Sequence, residues 1–209
     1  MSQFFNSIKA LITPDMVEKA AHTVDEKPAD IQRAFNIIIP GLLAMYLKKH
    51  SPTTNNILRK AGNLDVLKDR DLLCEEKART DQAMVADDFL QHILGDQAAS
   101  FSDPIAEATG IPKVAVNRLV YMAAPMVAGA MGDKLVRENW STSGLINEIG
   151  SMKPQLLSGL PKELVQSMDL SYILHSSGNT KTNNNKGIIW AIVLVAIVAI
   201  AAAIYYFNQ

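Results

Sequence analysis

The sequence predicts an all-α protein: a compact multi-helix body followed by one C-terminal transmembrane helix. Three observations predict it. Helix start and stop residues recur through the body, and runs with strand-like alternation are nearly absent. Residues 188–207 form twenty consecutive positions without a charge, a Gly or a Pro.

That last run comes first in the argument because it separates the chain into parts. At ~1.5 Å per residue a helix of this length reaches about 30 Å, the thickness of a hydrocarbon core. Trp190 lies near one end and Tyr205, Tyr206 and Phe207 at the other, where interfacial aromatics anchor a span. Ala199 and Ala203 form a small-xxx-small pair that lets two such helices approach. Lys181 and Lys186 precede the run, while only Asn208 and Gln209 follow it. The positive-inside rule then puts the body in the cytoplasm and the C-terminus outside. The N-terminus, with Phe4 and Phe5 but no long apolar stretch, does not read as a signal peptide. Residues 176–187 are polar and aromatic-free, which predicts a flexible tether between a soluble domain at 1–175 and the anchor at 188–207.

Within the body, Thr13-Pro14 reads as the N-cap and first residue of a helix running to about Val24. Ser51-Pro52 does the same for a helix ending at Gly62. Pro28 and Pro112 stand at the first turns of the two longest apolar helices. Asp103-Pro104 is expected to open a helix closing at Gly110, and Ser141 or Thr142 one closing at Gly150. Pro154 and Pro161 start short, leucine-rich turns. About ten short helices result, with Lys48, Lys49 and His50 at one helix end, where cations suit the dipole.

The long helices carry an internal echo. Shifted by 85 residues, Phe4 meets Phe89, Ile8 meets Ile93, Arg33 meets Arg118, Pro40 meets Pro125 and Lys49 meets Lys134. The pattern predicts two similar helical units, about 4–62 and 89–150, joined by a charged connector at 68–84 and packed as one domain.

The second unit carries a family resemblance. Thr109-Gly110-Ile111-Pro112-Lys113-Val114-Ala115-Val116, running into Ala124-Pro125-Met126-Val127-Ala128-Gly129, resembles the uncharacterised bacterial family that contains the YidB-like proteins. The first unit repeats the theme in Ile37-Ile38-Ile39-Pro40-Gly41-Leu42-Leu43. The resemblance covers most of residues 1–160 and implies a bacterial helical domain of unknown activity. In some relatives a transmembrane helix leads to a periplasmic, peptidoglycan-binding module; this chain departs from that pattern. The resemblance supplies no catalytic residues.

Charge narrows the function classes. Beyond Lys181 and Lys186, 18 basic residues face 21 acidic ones, a formal charge of −3 on the body. No broad basic surface follows, so nucleic acid is not an expected partner. Cys74 is the single cysteine, which excludes an intramolecular disulfide. Its acidic neighbours Glu75 and Glu76 disfavour a reactive thiolate. His22, His50, His92 and His175 are scattered without ligand spacing, and phosphate-binding and nucleophile-elbow motifs are missing. No metal, cofactor or enzymatic activity is therefore expected.

Four residues stand out as candidates for a ligand or partner. Pro40 and Pro125 fall mid-helix, where each removes a backbone donor and frees a carbonyl four residues back, at Asn36 and Tyr121. Arg33 and Arg118 precede them by seven residues, on nearly the same helix face. Either arginine could bind an anion, cap a neighbouring helix or stay solvated. Two functions are consistent with this. The first is a tail-anchored inner-membrane protein presenting a cytoplasmic interaction or scaffold domain, with the bilayer and protein partners or its own copies as contacts. The second is a small-ligand or lipid-binding helical domain, with or without enzymatic activity, that has a cavity near the paired proline kinks.

Overall fold

The structure, a computed structural model, describes residues 3–68, 79–171 and 173. The segments expected to form a tether at 176–187 and a membrane anchor at 188–207, together with Cys74 and His175, lie outside the described residues. The described helices belong to one unit within Met1–Ser176.

Among the described residues there are ten α-helices and no strand. They are α1 (Gln3–Ala10), α2 (Pro14–Val24), α3 (Pro28–Lys49), α4 (Pro52–Asn63), α5 (Thr80–Ile93), α6 (Ala98–Thr109), α7 (Lys113–Val136), α8 (Thr142–Ser151), α9 (Lys153–Ser158) and α10 (Lys162–Ser167). A single 3₁₀ turn, Gly95–Gln97, joins α5 to α6.

The helix starts follow from side-chain capping. Thr13 Oγ1 accepts from the Met16 amide at 3.3 Å, Ser51 Oγ from Thr54 at 3.1 Å and Ser141 Oγ from Gly144 at 3.0 Å. Each hydroxyl satisfies a donor that the first turn cannot pair internally. Pro14, Pro28 and Pro52 occupy first-turn positions, where a missing N–H costs nothing.

Two boundaries differ from the sequence expectation. α6 begins at Ala98, so Asp103-Pro104 sits inside the helix instead of opening it. The 3₁₀ turn feeds directly into α6, and Pro104 is buried, so tertiary packing overrides the local stop signal. α5 begins at Thr80, so residues 80–84, expected in the charged connector, are helical. A capping pair explains that start: the Arg79 amide donates to Gln82 Oε1 at 3.1 Å.

α3 and α7 run through the centre. In α3 every residue from Ile38 to Leu47 is buried. α7 is long and apolar enough to cross a membrane by length and composition, yet 78% of its apolar stretch is buried inside the body. Its hydrophobicity is that of a core helix wrapped on all sides.

Among the described helices, α4 and α7 share the most extensive contact. Two glycines make it. A Cβ on Gly132 would lie 2.2 Å from Leu58 O and 2.6 Å from Gly62 N; one on Gly62 would lie 2.6 Å from Gly132 O. The two backbones touch, and no side chain fits between them. The pairing of Leu58 and Gly62 with Gly132, and of Val66 with Gly129, sets α4 antiparallel to α7.

α5 is fastened below this crossing by Gln82, a fully buried amide. Its Nε2 donates to Val66 O at 2.9 Å and to Lys68 O at 3.2 Å. α1 is held at the end of α7, where Lys134 Nζ stands 5.7 Å from the Phe4 ring centroid and 5.0 Å from that of Trp140.

At the 85-residue offset, α2 and α3 lie over α6 and α7. The turn between each pair has the same form: Asp25 and Gly110 take left-handed backbones with φ of 57° and 76°, and their amides donate to Ala21 O and Ala106 O. At an offset of 88, α4 lies over α8.

Gly132→Ala should lower unfolding free energy by about 3 kcal/mol, because the new methyl meets backbone on both sides and the helices must separate. Gly150→Ala, whose Cβ would meet only Lys153 Cε at 3.9 Å, should instead raise it by up to about 1 kcal/mol through helix propensity. Urea unfolding of both variants beside the parent chain distinguishes the two; equal effects would contradict the backbone-contact reading.

Candidate functional site

The four candidate residues divide between core and surface. Pro40 and Pro125 are buried inside α3 and α7. Arg33 and Arg118 are exposed near the starts of those helices, about two turns or ~10 Å away along each axis. Arg33 pairs with Asp30 one turn before it. Arg118 Nη1 donates to Thr23 O at 3.2 Å. Thr23 lies in the last turn of α2, so Arg118 supplies a cation and a donor to a helix C-terminus. The capping role expected of these arginines is met by Arg118, while Arg33 serves its own helix.

The space beside each proline is filled. Gly41 follows Pro40, and a Cβ there would lie 2.9 Å from Phe101 Cζ and 3.8 Å from Leu160 Cδ2. Four residues after Pro125, a Cβ on Gly129 would meet Val66 Cγ2 at 2.7 Å and Leu67 Cγ at 2.9 Å. Phe101 of α6, residues 66–67 just after α4 and the segment that carries Leu160 pack beside the prolines, where the alternative reading places a cavity.

An open depression lies instead at the α2–α3 turn, lined by Glu18, Ala21, His22, Asp25, Glu26, Lys27 and Pro28. Three carboxylates face one lysine there, so the surface repels anions. His22 contributes to this lining; Arg33 and Arg118 are not part of it. Among the described residues no group of three or more His, Cys, Asp or Glu could hold a metal ion.

Two titratable groups respond to the packing. Tyr46 is fully buried, its hydroxyl donating to Asn55 Oδ1 at 3.0 Å, and burial pushes its pKa up to about 12. At the end of α7, Arg137 reaches Asp65 at 2.6 Å and Asp133 at 3.3 Å. Burial raises the Asp133 carboxyl; Arg137 opposes this, while Asp65 and Glu138 reinforce it.

A further polar arrangement was not foreseen because it involves the misread helix start. Pro104 lacks the N–H that would bond Ser100 O. That carbonyl accepts from Ser167 Oγ, in α10, at 3.0 Å. Beside it, Lys48 Nζ donates to Met168 O at 2.7 Å and reaches Asp169 O at 3.3 Å. The carbonyl freed by the third internal proline thus has a partner in another helix. Gln82 was also missed, although its place in the row Gln82, Val85, Phe89, Ile93 marks it as a core position.

The sequence pattern of a bacterial protein family of unknown function (DUF937) matches residues 6–134. The chain belongs to that family. The match runs from α1 through the Gly132 crossing of α7 and stops before α8, so α8–α10 lie outside it. No curated protein and no solved structure matches the chain.

The Asp133 carboxyl takes a proton more readily in the fold than in the unfolded chain. Its contribution to stability is therefore full below the ordinary carboxylate range and is lost as pH rises through the raised folded value. Asp133→Asn should gain stability relative to the parent as pH rises from about 4, the ordinary carboxylate range, measured by denaturant unfolding at a series of pH values. A constant difference across that range would contradict the assignment.

Proposed function

We propose that this member of the DUF937 family is a membrane-tethered helical interaction module without enzymatic activity. In this reading residues 188–207 cross a bacterial inner membrane, residues 176–187 form the tether, and the helical body stands in the cytoplasm with the C-terminus outside. The carrying observation is the uninterrupted apolar run at 188–207, whose composition suits a bilayer span. A second observation supports the division of labour. The other long apolar segment, α7, spends its hydrophobic surface inside the body, so the body has its own core.

The filled space beside Pro40 and Pro125 favours an interaction module over a ligand-binding domain. The matching α2–α3 and α6–α7 turns, with left-handed residues at Asp25 and Gly110, support an internally duplicated body. Confinement to one membrane raises the effective concentration of partners and of the chain's own copies.

The expected result is that the full chain stays in the membrane pellet after alkaline carbonate extraction, whereas a chain ending at residue 187 appears in the soluble fraction. An impermeant thiol reagent should leave Cys74 unmodified in intact cells and label it in denatured, permeabilised ones. A carbonate-soluble full chain would overturn the tether. Labelling in intact cells would overturn the orientation.

A further inference from the structure

We draw no further inference here: the strongest candidate, the open depression at the α2–α3 turn lined by Glu18, His22, Asp25, Glu26 and Lys27, is an acidic cluster with no second feature that points to a ligand, since Gln97 Oε1, the buried side-chain polar atom without a partner among the described residues, is not in its lining.

Discussion

The contact between Gly62 and Gly132 is the constraint on which the remaining packing depends. Because neither residue carries a Cβ, α4 lies against α7 backbone to backbone. That approach brings Val66 and Leu67 onto Gly129 and sets Asp65 within reach of Arg137. It also aims the carbonyls of Val66 and Lys68 at the Gln82 amide, which seats α5. Each further contact is weak alone, and many need the crossing at its observed depth. A shift of one ångström would cost dispersion contacts along the whole interface and leave a buried amide without acceptors.

Internal prolines are treated in two ways. At Pro40 and Pro125 the helices pass through the core, and neighbouring side chains close over the adjacent small residues. At Pro104 the disrupted ladder lies at an edge, and the unpaired carbonyl becomes an attachment point for α10. The same covalent defect is a packing feature in one place and a recognition feature in another. All three prolines are buried, so the difference lies in reach: Ser100 O stands where the Ser167 hydroxyl of another helix can donate to it.

Much of the body was legible in the sequence. Thr13, Ser51 and Ser141 marked helix starts because capping is a local interaction, settled within four residues. The central placement of α3 and α7 followed from their continuous apolarity. Pro104 misled for a related reason. A proline after an aspartate has the composition of a first turn, and only the buried surroundings of α6 show that the helix begins earlier. The candidate site was less legible. Arg33 and Arg118 occupy equivalent positions at the 85-residue offset, yet one serves its own helix and the other caps α2, a difference set by which carbonyl lies within reach. The glycine crossing was invisible for a simpler reason: glycine in a helix reads as a weakness until the opposing backbone is known.

The bond from Ser167 to Ser100 O has an evolutionary consequence. A residue other than proline at position 104 would supply the α6 ladder bond to Ser100 O, and the Ser167 hydroxyl, which also lies 3.3 Å from Leu164 O, would then share that acceptor instead of being its donor from outside the helix. A chain without α10 would leave Ser100 O to solvent and remove this reason for proline at position 104. The two positions should therefore vary together among family members, even though only one lies within the matched region, and the pair would serve as a written mark of those members in which α10 packs on α6.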